Sequence, residues 1–456
     1  MSKHLSEAPW LPLQPAEVMS NRGPALLARQ AEMDGPVLRW TMPYGALAGR
    51  EIVVLVGPEA NRFVLHTHRE SFSHEQGWTP SIGHLLGKGL LNMDPPEHTR
   101  HRKLWNPAFT NAYMECYLPL VQRVIAQHTA GWLEQGEVDL YQAMRELTFH
   151  VAASALVGLE RSQKTEQLQK LFYTLSRETV SSLQNYDEHL QKALRTRDEL
   201  SGLLLELIAE RRGRPVDQPP RDVLGLILQA RDEDGERLGD EQVLGHLTIL
   251  LVAGHETTST LSTYVLYLLA TLPEHRRRIE AELQALSGDS TGPISVGATR
   301  EMKTLDNFIA ETGRLYSPVF TVPRQVVQDV EFADYTLPAG TIVRLALAAG
   351  HHLPSVFADP EAFDPDRFAP PREEDRRTPY GLVTFGGGPR LCIGVHFATI
   401  EVKVLAAHIL RSYHLEPLSK EFPAQFGFTA TVVKNSIQMG VTARNRAIYD
   451  ATSEGR

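Results

Sequence analysis

The apolar positions of this chain change period along its length. The run Val53-Val54-Leu55-Val56 is β-rich and is broken by Gly57-Pro58, so residues 37 to 66 read as short strands giving way to a helix from about Glu59. From 97 to about 285 the spacing is that of helices. Turn-forming residues interrupt it from Gly213-Arg214-Pro215 to Pro219-Pro220 and again at Asp232-Glu233-Asp234-Gly235. Asp240 stands where an N-cap would, and Glu241 suits the positive end of the helix that follows. That helix, Asp240 to Leu272, spans about 50 Å at the usual rise per residue. Its apolar run is split by Gly254-His255-Glu256-Thr257-Thr258, which fits a buried central helix with a polar interruption better than a membrane span. Residues 321 to 349 return to a strand pattern (Val326-Val327, Ile342-Val343), and 426 to 443 read as a C-terminal hairpin.

The expected class is mainly α with a small β-rich part. A chain of 456 residues has room for more than one domain, but it carries neither an internal repeat nor a low-complexity linker. One domain over 1–456 is therefore expected, with a β-rich N-terminal part at about 37–70, a helical body at about 97–320, and a β-rich part with a cysteine loop at about 321–456. Hydrophobic residues at 42% and charged residues at 22% allow a core large enough to enclose a sizeable ligand. With 46 Lys+Arg against 55 Asp+Glu the formal net charge is −9, which argues against a nucleic-acid partner. Two cysteines, Cys116 and Cys392, make no disulfide framework. Met1 to Gly23 is broken by Pro9, Pro12 and Pro15 and resembles neither a signal peptide nor a membrane anchor, so a cytoplasmic location is expected. The histidines, among them His66, His68, His351 and His352, show no zinc-ligand spacing and read as ordinary surface or core residues.

Residues 385 to 394 read Phe-Gly-Gly-Gly-Pro-Arg-Leu-Cys-Ile-Gly. Three consecutive glycines and a proline fit neither a helix nor a central strand, so this is a tight loop, with a helix from Val395 to Arg411 behind it. Cys392 then sits near a helix N-terminus and beside Arg390, and both features favour its thiolate. The backbone N–H groups of Ile393 and Gly394 are placed to temper the sulfur's charge. A lone cysteine is most often a small buried hydrophobe, but that reading leaves the glycines, Phe385 and Arg390 without a reason. Phe385, Gly388, Arg390, Cys392 and Gly394 fill every fixed position of a Phe-x-x-Gly-x-Arg-x-Cys-x-Gly motif, and in this the chain resembles the cytochrome P450 family. The resemblance implies the fold of that family, its long central helix lying over a haem b (iron protoporphyrin IX), and Cys392 as axial ligand to the iron.

Further segments resemble the family in order along the chain, from about 90 to 412. Ala253-Gly254-His255-Glu256-Thr257-Thr258 is similar to its oxygen-activation segment, implying space at Ala253-Gly254 and proton delivery by Glu256 and the Thr257 hydroxyl. Read from the residues alone, the same segment is a helix bend with Thr bonding back to the carbonyl four residues earlier. Asp94 to Arg102 opens a helix, with Pro95-Pro96 suiting its first turn and His98 and Arg102 on one face. The resemblance gives His98, Arg102, Arg324 and Arg390 to the haem propionates, although a solvated cationic helix start is the plain alternative for Arg100 and Lys103. Glu311 and Arg314 are i and i+3, a pairing worth under about 1 kcal/mol when exposed. They resemble the family's Glu-x-x-Arg motif, which with Arg367 implies a buried structural triad. His351-His352-Leu353-Pro354 departs from the charged Arg-Asp pair of the family.

The implied activity is a monooxygenase inserting one atom of O2 into an apolar organic substrate, a terpenoid, fatty acyl or retinoid-like molecule. Sixty-four residues follow Cys392 without a flavin or iron–sulfur segment, so electrons are expected from a separate ferredoxin-like protein, docking on the thiolate face near Arg390 and Lys403. Ala253, Val319 and Phe320 are candidate pocket residues, with Leu85, Leu86 and Leu90 in the loop 76–92 and a helical lid at about 170–210. Two rivals stand beside this reading: a haem-thiolate peroxygenase or isomerase, which the Glu256-Thr257 pair disfavours, and a non-catalytic haem sensor, for which no signalling module is evident.

Overall fold

The computed structural model describes residues 2–43, 45–181, 186–214, 222–287, 292–427 and 429–444. Of the loop expected from Gly213 to Pro220, residues 215–220 lie outside the described residues, as do 182–185 of the expected lid. A mixed sheet contains β1 (Val37–Thr41), β2 (Glu51–Val56), β3 (Phe72–Ser73), β4 (Val322–Val326) and β5 (Ile342–Ala346) in the order β1-β2-β5-β4-β3. The central β2 is apolar from Ile52 to Val56 because both its faces are covered: Val53 and Leu55 pack into one cluster, Ile52, Val54 and Val56 into another. β5 runs parallel to β2 and antiparallel to β4, which sets Arg344 opposite Val54 on one side and Pro323 on the other.

The body is built from α1 (Glu97–Trp105), α2 (Leu140–Val157), α3 (Gln163–Ser181), α4 (Tyr186–Arg212), α5 (Asp240–Thr271), α6 (Lys303–Leu315) and α7 (Val395–Ser412). Helix α5 is buried on every side over most of its length, which is why its apolar residues wrap round it instead of forming a stripe. Its N-cap is Gly239; Asp240 is already helical and accepts from Arg212 Nε at 2.6 Å. The polar segment does not interrupt it. Thr257 Oγ1 donates to the Ala253 carbonyl at 2.6 Å, a back-bond that leaves the helix continuous.

Three other segments depart from expectation. Helix α1 begins at Glu97, after both prolines, with Pro96 as its cap. Residues 426 to 443 are not one hairpin: Gln425–Phe426 pairs with Val432–Val433 and Phe426 also bridges Ser20, while Gln438–Ala443 lies between Tyr413–Pro417 and Glu137–Asp139. Longer-range pairing outcompetes the local turn here. A helix over Gly23–Asp34, with Pro24 in its first turn, was not marked by the apolar pattern.

The loop 87–92 is pressed onto α5. A side chain at Gly245 would begin 2.2 Å from the Lys88 carbonyl oxygen, so only glycine allows this approach. The Leu90 N–H donates to His246 Nδ1 at 3.3 Å, and His246 Nε2 lies 2.7 Å from His101 Nδ1, which carries the staple on to α1. Burial holds the His246 imidazole neutral, its pKa lowered to about 3.

Glu311, Arg314 and Arg367 are completely buried. Arg314 donates from Nε and Nη2 to the two Glu311 oxygens at 2.7 and 2.8 Å, and Arg367 Nε adds a third bond at 3.0 Å. Arg367 also reaches Glu374 at 2.8 Å, so a second carboxylate shares the charge. Arg314 Nη1 donates to the His351 carbonyl at 2.8 Å, while His351 Nδ1 lies 3.3 Å from the Arg314 carbonyl. His351 Nε2 then accepts the Val383 N–H at 3.0 Å, and the Val383 carbonyl accepts the Gly386 N–H at 2.8 Å. A continuous set of bonds thus joins the ion network to the cysteine loop, and His351 is the link in it.

Replacing Glu311 by Ala leaves two guanidinium groups facing each other without their shared anion, and is expected to cost about 3–5 kcal/mol of folding stability. Denaturant unfolding measures it, and a loss under about 1 kcal/mol would show that the network does not hold this region. His246 and His351 are both held neutral, each with its pKa lowered from 6.5 to about 3. Below about pH 6.5 the unfolded chain therefore binds protons that the folded one refuses. Stability is present above that pH and falls below it by roughly 1.4 kcal/mol per unit per histidine, about 3 kcal/mol in all at pH 5.5. An unfolding free energy unchanged between about pH 7 and pH 5.5 would contradict this.

Candidate functional site

The cysteine loop is shaped by glycines that no other residue replaces cheaply. Gly386 and Gly388 have φ of 74° and 60°, and a side chain on Gly388 would start 2.3 Å from the Leu65 carbonyl oxygen. The Cys392 N–H donates to the Phe385 carbonyl at 2.9 Å, closing the loop, and Gly394 caps α7 directly behind it. Cys392 has accessible surface, yet burial is the largest influence on its thiol and pushes its pKa up. The two observations agree because the sulfur opens onto a space inside the protein and is surrounded by it. The Gly394 N–H bond and the Arg102 charge pull the other way, toward thiolate. Arg390 does not act as its neighbourhood in sequence promised. Its guanidinium turns to the Leu90 and Met93 carbonyls, at 3.3 and 2.7 Å.

On α5, Ala253 and Gly254 are exposed although Leu251, His255 and Glu256 on either side are buried. A methyl group added at Gly254 would meet nothing. Thr257 is half-buried beside them. The Glu256 carboxylate accepts from Arg145 Nη2 of α2 at 2.9 Å and from Ser176 Oγ of α3 at 2.6 Å, with His255 Nε2 at 3.4 Å. Burial would raise its pKa, but His255, Arg145 and Ser176 together outweigh that and hold it well below the usual carboxylate range.

His98, Arg102, Arg324 and Arg390 come together from three distant segments. Burial lowers the His98 pKa to about 3, with the Arg390 and Arg102 charges adding to the effect. Arg324 falls to about 9 through burial and the charge of Arg390, and Arg390 to about 10 through burial. His74, unremarkable in the sequence, is a further member, depressed by burial and by Arg324, Arg390 and His98. Asp94 offsets part of this charge, and its carboxylate also accepts the His74 N–H at 2.7 Å. Such mutual repulsion favours an anion at this place, as the carboxylates of a porphyrin would be.

A cavity of about 430 Å³ lies between α5, the sheet, the loop 76–92 and the helices α3 and α4. Ala253, Glu256, Thr257, Val319, Leu85 and Leu86 line it. Phe320 and Leu90 are not among the lining residues: Phe320 is buried behind the wall, its N–H bonded to the Thr429 carbonyl at 2.8 Å. Leu175, Ser176, Leu190 and Ala193 enter from the expected lid. Arg344 also reaches this wall, from within the apolar strand Ile342-Val343-Arg344-Leu345-Ala346. Lys403, expected to face a redox partner, is buried and donates to the Thr299 carbonyl at 2.7 Å and to Asp306 at 2.6 Å, so no partner can reach it. A separate cleft of about 810 Å³ between Asn111–Thr129, residues 292–297 and α7 holds none of these groups.

An accessible thiol in a glycine-bound loop, small exposed residues on α5 and a cationic cluster whose Arg102 acts on that thiol fit a thiolate-ligated porphyrin. The family model for Cytochrome P450 matches residues 25–440. Cytochrome P450 136 of Mycobacterium tuberculosis is 31% identical over 419 residues, 90% of this chain and 82% of that one. The sterol 14alpha-demethylase of Mycolicibacterium vanbaalenii is 31% identical over 378 residues, 81% and 83% of the two chains. The structure of retinoic acid bound cyanobacterial CYP120A1 superposes with a TM-score of 0.82 at 27% identity, covering 91% and 93%. Matched over nearly its whole length and carrying an interior thiol in a glycine loop, this chain belongs to the cytochrome P450 family of haem-thiolate monooxygenases.

Proposed function

We propose that this protein hydroxylates an apolar organic molecule with O2, using haem b and electrons from a separate ferredoxin-like protein. The observation that carries the proposal is the interior thiol of Cys392 together with the exposed Ala253-Gly254 step in an otherwise buried helix. When bound, the haem supplies the oxidising chemistry, and a thiolate ligand favours O–O cleavage by pushing electron density toward the metal. The chain's own residues do the rest. Cys392 holds the metal, with the Gly394 N–H tempering the sulfur's charge. His98, Arg102, Arg324 and Arg390 take the propionates, and Phe385 fixes the loop through its carbonyl. Gly254 and Ala253 leave room for O2 and substrate together.

Thr257 and Glu256 have different tasks. The Thr257 hydroxyl is on the cavity side and rotates away from the Ala253 carbonyl to donate its proton inward. Glu256 is ionised, so it accepts and passes on protons arriving from outside; Arg145 and Ser176 keep it in place. The cavity wall is mainly apolar, which supports a terpenoid, fatty acyl or retinoid-like substrate. The related proteins whose names mention sterol and retinoic acid support the same class.

Reduced, carbon-monoxide-treated holoprotein is expected to absorb at the wavelength for which the family is named, and Cys392→Ser to lose that band together with turnover. A serine variant that keeps both would overturn the assignment. Thr257→Ala is expected to lower product formed per electron pair about tenfold or more while ligand-induced spectral shifts stay unchanged. Thr257→Ser keeps the hydroxyl and is expected to stay close to wild type. Product yields that do not distinguish Ala from Ser at this position would remove the hydroxyl from the mechanism.

A further inference from the structure

His255 is fully buried on α5 and is not among the residues of the cavity wall, whereas its neighbour Glu256 is. Aromatic side chains enclose its ring: Tyr173 stacks on it with centroids 5.9 Å apart and planes 21° apart, and Phe149 and Phe172 meet it at an edge. A phenyl ring would suit such a place and leave no polar atom to be satisfied. The imidazole instead brings two nitrogens with different surroundings. Nδ1 lies 3.2 Å from the Leu251 carbonyl, which can only accept, so Nδ1 carries a hydrogen. Nε2 is buried, makes no hydrogen bond among the described residues, and lies 3.4 Å from Glu256 Oε1. With its one hydrogen on Nδ1, a neutral ring turns the Nε2 lone pair toward a carboxylate oxygen, and in a dry interior that repulsion is strong. A proton on Nε2 converts it into an ion pair.

We infer that His255 holds a proton for Glu256 and hands it over during turnover, so that the pair is a one-proton store behind the cavity. The inference rests on the monooxygenase reading, in which Glu256 passes protons inward, and names the group it draws on. In the transfer the Nε2–H bond breaks and an O–H bond forms on Glu256, leaving the ring neutral and still bonded through Nδ1 to Leu251. The carboxyl then releases that proton to the cavity side and is a carboxylate again, and one proton from solvent restores the pair. Arg145 and Ser176 both bond to Oε1 of Glu256, whereas Oε2 has no partner among the described residues, so one oxygen is held and the other is left to bear the proton. The other ionisable groups acting on the pair are Arg145 and Tyr141 from α2 and Tyr173 from α3. Burial works against the Arg145 charge, but Glu256 outweighs it and keeps the guanidinium ionised. Burial pushes both tyrosines up and keeps them neutral. Histidine is the side-chain type in this group that gives up and regains a proton near neutral pH.

The test uses haem-loaded full-length protein, its histidines labelled with the heavy nitrogen isotope, in the reduced, carbon-monoxide-treated form. Nitrogen NMR reads which ring atoms carry hydrogen, and the His255 signals are those missing from His255→Phe. At about pH 7 the wild-type ring is expected to carry hydrogen on Nε2 as well as Nδ1, and Glu256→Gln to lower the ratio of doubly to singly protonated ring about threefold or more. A wild-type ring without hydrogen on Nε2, or a smaller change in that ratio, would overturn the store. Turnover is then measured with palmitic acid and retinol as probes, as product per electron pair supplied by a soluble photoreductant. His255→Phe keeps the packing and His255→Gln keeps a polar group, but neither can hold the proton. Each is expected to lower the yield about threefold or more, with the carbon monoxide spectrum and the probe-induced spin-state shift unchanged. A smaller loss in either variant would remove His255 from the proton path. Should the ring be charged and respond to Glu256 while wild type oxidises neither probe, the store stands and the monooxygenase reading falls.

Discussion

A single carboxylate, that of Glu311, holds the site side of this protein together. It sits with no exposure between two guanidinium groups that are equally buried, and it also accepts the Asp364 N–H at 2.9 Å. Buried ion pairs gain little net free energy over apolar packing, but a half-made one is very expensive. The network therefore acts less as a source of stability than as a condition: the segments 351–367 and 383–392 have one arrangement in which every charge is answered. Because His351 bonds to both Arg314 and Val383, the same condition reaches the backbone of the cysteine loop.

Much of this was readable in advance, and the reasons differ by region. The cysteine loop was legible because its requirements are local. Positive φ at Gly386 and Gly388 and the close approach to Leu65 leave little freedom of residue type, so the chemistry is written in ten consecutive positions. Helix α5 was legible because its length and its polar step are both unusual. Arg367 came from the family resemblance; the sequence itself does not reveal that it meets Glu311. His351 was passed over for the reason that makes it useful. A neutral imidazole fixed by one donor and one acceptor looks, in sequence, like any core histidine.

What escaped was set by tertiary context. Lys403 lies on a helix close behind the cysteine and seemed a partner contact, yet its ammonium is spent on Thr299 and Asp306. Arg390 turns to the carbonyls of Leu90 and Met93, and the charge that draws the sulfur toward thiolate is Arg102, from another part of the chain. Phe320 and Val319 are neighbours in sequence, but backbone geometry sends one behind the wall and the other into it. The C-terminal strands pair with residues far away in the chain, which no local turn propensity can foretell. His74 carries no motif and is known only by its neighbours. Arg344 did leave a trace: an arginine inside a run of strand residues that are otherwise apolar.

The cluster of His74, His98, Arg324 and Arg390 has a consequence for assembly. Each of these bases is depressed by burial, and several by one another's charge, which is free energy stored against the compact state. An anionic group that docks among them releases part of that repulsion, and by mass action whatever binds only the folded chain deepens its stability in proportion to its excess over the dissociation constant. With the porphyrin carboxylates docked there, as proposed above, cofactor loading and chain folding would be one coupled equilibrium. On that proposal the supply of porphyrin, as well as the sequence, would set how much of the polypeptide is found in its compact form.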